Sequence, residues 1–196
     1  YADATANDID GTGSPAPTRA GGKLHFGQDF EESGAQDISL GSGRLGDALD
    51  GADGVTITAW INPESLASGY ANPLLCQYLH QDKTGVAVEL VESGKLQVRA
   101  RSESGDSEVS VATSAAEVST GSWQHVAGRI DIPGEEIGLF VNGAAKTAAG
   151  SVSFASETFT QGTPSTADAI GTDGTYHYDG KLDELRVYPG VLSDAR

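Results

Sequence analysis

Apolar and polar side chains alternate with a period of two along most of this chain. In "VTITAWI", Val55, Ile57, Ala59 and Ile61 fall on one side, and Thr56, Thr58 and Trp60 on the other. That spacing belongs to a strand with one buried face, and Asn62-Pro63 ends it. "VAVEL" and "KLQVRAR" repeat the pattern through Val86, Val88 and Leu90, then Leu96, Val98 and Ala100, with "VESG" as a hairpin connection. "WQHVAGRI" and "EIGLFVNG" form a further pair, joined by a turn at Pro133-Gly134, and Asn142-Gly143 sets the next reversal. Weaker alternation marks "KLHFGQDF" (Leu24, Phe26, Phe30), "AQDISL", "NPLLCQYLH", "GDSEVSVAT" and "KLDELRVY". The pattern predicts about ten to twelve short strands and no helix, with "GSGRLGDALDGADG" read as loop. The expected fold is all-β, a two-sheet antiparallel sandwich.

Composition narrows the class. The 196 residues suit a single domain, taken as residues 1–196, with enough chain to bury a core. Methionine is absent and Tyr1 opens the sequence, so the chain is read as processed or excised from a larger exported protein. No run nears the roughly 20 apolar residues of a membrane span, so membrane insertion is not expected. A lone cysteine, Cys76, cannot form an internal disulfide and reads as a small buried hydrophobe. The net charge of −16, from 28 acidic against 12 basic residues, excludes nucleic acid as a partner, because phosphates would be repelled. The same acidity, with little lysine, suits a protein kept soluble in high salt.

Four segments in fixed order carry a family resemblance: "VTITAWINPESL", "GKLQVRAR", "GSWQHVAGRID…IGLFVNG" and "AIGTDGTYHYDGKLDELRVYPGVLSDAR". With the opening "DATANDIDGTG…GGKLHFGQDFEES", they resemble the laminin-G-like, concanavalin A-like jellyroll domains of exported proteins. The resemblance implies a jellyroll and an extracellular, cell-surface or virion-surface location. It implies nothing specific about activity, since the fold hosts many roles.

Candidate chemistry is sparse. Asp183 shares a parity with Leu185 and Val187, so with those two in the core it points inward and needs backbone N–H groups, an arginine or a hard cation. The resemblance implies calcium (Ca2+) there, joining Asp183 to Asp3, Asn7 and Asp8 or Asp10 in the N-terminal turn. Asp47, Asp50 and Asp53 read as a solvated acidic loop. Catalysis is not expected: Glu89 and Glu92 lie on opposite parities, as do Asp183 and Glu184, so no strand offers the paired carboxylates of a glycosidase. No G-x-S-x-G turn occurs, and the four histidines lack metal-ligand spacing.

Sugar recognition needs aromatic faces and polar groups together. Tyr70, Tyr78 and His80 cluster near one turn; Tyr176, His177 and Tyr178 near another; Arg101 ends a strand; Trp60 and Trp123 read as packing residues. The leading expectation is a non-catalytic carbohydrate-binding or adhesion module, calcium-stabilised, with a glycan or a cell-surface protein as partner. The alternatives are a structural subunit or decoration protein of a cell-surface or viral assembly, and an accessory domain of a secreted glycan-active enzyme.

Overall fold

The computed structural model describes residues 1–13, 15–66, 69–77, 85–103, 105–160 and 167–193. Among the described residues, fifteen strands build two antiparallel sheets. They are β1 (Thr12–Gly13), β2 (Thr18–Gly21), β3 (Phe26–Phe30), β4 (Ile38–Ser42), β5 (Gly54–Pro63), β6 (Asn72–Cys76), β7 (Gly85–Val91) and β8 (Lys95–Arg101). The remainder are β9 (Val109–Thr113), β10 (Gln124–Asp131), β11 (Glu136–Val141), β12 (Ala144–Ala145), β13 (Ala148–Ala149), β14 (Ala167–Ile170) and β15 (Gly180–Pro189). One sheet, here sheet A, runs β1-β4-β14-β6-β7-β8-β9-β13; sheet B runs β12-β11-β10-β5-β15-β3-β2.

The buried side chains follow the alternation. Val55, Ile57, Ala59 and Ile61 of β5 join Val126 and Ile130 of β10 and Ile137, Leu139 and Val141 of β11 in one core. Sheet A contributes Val86, Val88, Leu90, Leu96, Val98, Val109 and Val111 to that core. Cys76 is buried, and burial pushes its thiol up to about 12, so it stays protonated and inert.

Three local expectations are corrected. The segment read as loop holds a short helix, α1 (Arg44–Leu49), which buries Leu45 and Leu49 and has no side-chain cap at its N-cap, Gly43. With one turn and a half, it is too short to register as periodicity. Leu24 and Phe26 stand in solvent while Phe30 alone of that trio is buried. Finally, Asp183 does not share the core side with Val187. Asp183 lies opposite Trp60 while Arg186 lies opposite Thr58, so β15 carries a bulge with one extra residue. Glu184 takes a left-handed φ of 51° there. The bulge flips the parity: Leu182 opposes Ile61 and Val187 opposes Ile57 on the core side, and Asp183 shares the outer side with Trp60 while remaining buried, at 7% exposure, as expected of it. Trp60 is thus a half-buried residue of the outer face, edge-to-face with His125 at 5.3 Å.

Candidate functional site

The loop between β14 and β15 brings the two predicted tyrosine groups together. Tyr70, just ahead of β6, stacks on Tyr176 with ring centroids 4.9 Å apart and planes 11° from parallel. Both rings remain more than a third exposed, at 39% and 38%. Each ring turns one face to the other while part of its surface stays open to solvent, and the pair forms a small aromatic slab beside β6 and the β14–β15 loop.

The loop that carries Tyr176 is locked by short-range hydrogen bonds. Asp173 Oδ1 accepts from the backbone N–H of Thr175 and of Tyr176, both at 2.8 Å. Thr172 Oγ1 donates to the Tyr176 carbonyl and accepts from the Gly174 N–H. Aspartate and threonine in this role fold the backbone on themselves, so Tyr176 is held without help from a partner strand. Gly171 anchors the loop to the core. Its φ is +83°, and a Cβ at that position would lie 2.6 Å from the Phe30 ring, so no side chain fits.

Beside the loop, the outer side of sheet A carries a buried ion network. Glu89 is 2% exposed and contacts Arg99 at 2.8 Å (Oε1 to Nε) and 3.3 Å (Oε2 to Nη2). Arg99 also reaches Glu108 at 3.5 Å. Burial raises the Glu89 carboxyl above its ordinary range, and the Arg99 guanidinium opposes that rise. The negative charge of Asp173 is close enough to raise both Glu89 and Cys76, which ties the loop to this network.

A second buried carboxylate, Asp168 of β14, accepts from the Leu45 N–H at 2.9 Å at the start of α1. It is 2% exposed, and burial lifts it from 3.8 to about 6, against the opposing hydrogen bonds of Leu45 and Gly46.

The other predicted ligand residues separate. Tyr178 is fully buried, edge-to-face with Phe30 at 6.1 Å, so it is a core residue and not a ligand contact. Tyr176 sits in the turn of the loop, whereas Tyr178 is on its return, where the Tyr178 N–H donates to the Gly171 carbonyl and the ring sinks beside Phe30. Arg101 is 7% exposed, with Nε buried and unpartnered among the described residues, which withdraws it from the surface. His177 is half-buried, bridges Thr172 through the backbone, and lies close enough to Asp37 for its charge to oppose the rise that burial gives that carboxyl. Tyr78 and His80 lie outside the described residues. Sequence reasoning missed Asp173 and Thr172, although "GTDGTY" holds the Asp-Gly and Thr signals of a self-bonded turn.

The four predicted metal ligands are not gathered. Asp3 closes its own turn, accepting from the Thr5 N–H and hydroxyl and from the Ile9 N–H at 2.8 to 3.0 Å, which lowers its carboxyl below the usual range. Asn7 is exposed and lines a cavity of about 320 Å³ with Ile9, Arg44, Asp47 and Ala48. Asp8 is exposed, and its carbonyl accepts from Arg44. Asp183 Oδ2 accepts from the Leu24 N–H at 2.7 Å, the backbone option among its three possible partners. Among the described residues, no group of three or more His, Cys, Asp or Glu side chains is placed to share a metal ion. As arranged, then, these residues do not fit one calcium ion between the N-terminal turn and Asp183.

Comparison with known proteins places this architecture. Domain 4 of AbnA, a GH43 extracellular arabinanase from Geobacillus stearothermophilus solved with arabinotriose, superposes with a TM-score of 0.68 at 21% identity, over 94% of this chain and 84% of that one. The CBM40 of Ruminococcus gnavus IT-sialidase, bound to α2,3-sialyllactose, gives 0.61 at 17% identity over 86% and 92%. The binding domain of botulinum neurotoxin DC, in complex with rat synaptotagmin II, gives 0.64 at 10% identity over 98% of this chain and 46% of that one. These similarities establish the fold. A search of curated proteins returned no match. Residues 32–196 match the family profile described as the Concanavalin A-like lectin/glucanases superfamily, and the chain belongs to that superfamily.

Proposed function

We propose that this chain is a non-catalytic carbohydrate-binding module of an exported or cell-surface protein, with the Tyr70–Tyr176 slab as its sugar platform. The observation that carries the reading is the stack itself: two rings, 4.9 Å apart, exposed together on a loop whose polar groups are fixed. Sugars present C–H faces that pack on aromatic rings and hydroxyls that need nearby polar partners, and a rigid platform loses little entropy on binding. The structural relatives solved with arabinotriose and sialyllactose support a glycan as the ligand class. The absence of catalysis is supported by Glu89, a buried carboxylate near the platform, whose oxygens are engaged by Arg99 rather than poised as acid or nucleophile.

A glycan array, followed by titration of the best ligand, tests the proposal. Wild type is expected to be retained. Tyr176→Ala is expected to weaken binding about tenfold, the worth of one stacking face, with an unchanged melting temperature. Retention that ignores both Tyr70→Ala and Tyr176→Ala would move the site elsewhere, and no retention at all would sink the reading.

A further inference from the structure

The β2–β3 hairpin has a surface unlike the rest of the molecule. Residues 11–28 contain Arg19, Lys23 and His25 and no carboxylate, so all 28 acidic residues lie elsewhere. At the same hairpin Leu24 is 52% and Phe26 is 59% exposed, the two most exposed large hydrophobics among the described residues. The Arg19 guanidinium lies over the Phe26 ring at 3.6 Å, and the Lys23 ammonium over Trp60 at 4.7 Å. Neither cation has a carboxylate partner among the described residues. The hairpin is also held in place. Gly22 N–H donates to the His25 carbonyl, and Asp183 takes the Leu24 N–H, so the side chain of Leu24 is presented outward from a pinned backbone. β2 is the edge strand of sheet B, open on one side.

A positively charged, apolar knob on an otherwise strongly acidic body is complementary to a second copy of that body. We infer that this hairpin docks on the acidic surface of another copy of the chain, so that the protein self-associates head to tail. The contact joins two different patches, which makes it heterologous: each copy offers one knob and one acidic acceptor, and association continues until a ring closes or the ends run out. Burying Leu24 and Phe26 supplies the attraction, and Arg19 and Lys23 select acid over any other surface. At physiological ionic strength charges beyond about 8 Å are screened, so the local match prevails over the like net charges of two copies. Binding to an anionic membrane is the competing outcome that the experiment separates from self-association.

Sedimentation velocity on a concentration series at about 0.15 M salt is the test. Wild type is expected to rise from 20.1 kDa to about twice that mass or more. The Arg19→Glu/Lys23→Glu and the Leu24→Ser/Phe26→Ser variants, each checked for an unchanged melting temperature, are expected to stay at the monomer mass. Mixed with wild type, the charge-reversed variant still presents its acceptor and is expected to cap growth. Wild type that stays at 20.1 kDa overturns the inference, including the case in which it instead binds phosphatidylserine vesicles or heparin. Variants that assemble as wild type does also overturn it. Tyr176→Ala leaves this association intact, so its fate and that of the glycan proposal are read separately.

Discussion

The outer sides of the two sheets hold their arginine–carboxylate pairs differently. On sheet A, Glu89 is nearly sealed and is held by Arg99, whose side chain is 24% exposed. On sheet B, Arg186 pairs with Glu184 and Arg129 with Glu136 at 3.3 Å, with at least one partner of each pair well exposed. Lys23 and Arg129 there also lie over aromatic rings. Alternation alone treats both sides as polar. The difference is desolvation: an exposed pair costs little and contributes little, whereas a buried pair is expensive to open and keeps its geometry fixed.

Removing one partner on each side breaks the comparison most sharply. Glu89→Ala strands Arg99 without its buried partner and is expected to lower stability by about 3 kcal/mol. Glu184→Ala is expected to change it by under about 0.5 kcal/mol. Urea unfolding of both variants decides the matter, and equal costs would erase the distinction.

The next effect tests the second sealed carboxylate. Asp168 titrates at about 6 when folded, above its ordinary 3.8, so the folded form binds this proton more tightly than the unfolded chain does. Stability then carries a penalty above pH 6 that is relieved as pH falls through about 6 towards 4. Asp168→Asn keeps an acceptor for the Leu45 N–H and is expected to gain of the order of 2 kcal/mol at pH 8, converging with wild type near pH 4. Thermal melts of both proteins across that window check it, and a gain independent of pH would reject the assignment.

The smallest expected effect concerns calcium. Asp3 and Asp183 already receive backbone N–H groups, so a chelator is expected to leave the melting temperature unchanged. A fall of several degrees, restored by added calcium, would reinstate the ion as the link between these residues.

What the sequence disclosed divides along the same physical line. Val55, Ile57, Ala59 and Ile61 were legible because burial of one face writes itself into every second residue. The change of side at Asp183 was not, because it depends on one extra residue in the bulge between Asp183 and Arg186, where Glu184 takes a left-handed φ. α1 was hidden by its length and by two glycines around Arg44-Leu45 with no capping side chain. Tyr70 and Tyr176 were each visible as surface aromatics, but their stacking joins residues a hundred positions apart and follows only from β6 lying beside β14. Tyr178 looked equivalent to Tyr176, and a two-residue offset in a returning loop separated platform from core.

Gly171 and Tyr178 stand as two fixed posts, the first pressed on Phe30 and the second sunk beside it. Between them lie residues 172–177, six positions folded on themselves by the hydrogen bonds of Thr172 and Asp173. Of the two stacked rings, Tyr176 lies inside that span and Tyr70 outside it, so exchanging residues 172–177 alone replaces one ring and leaves the other standing.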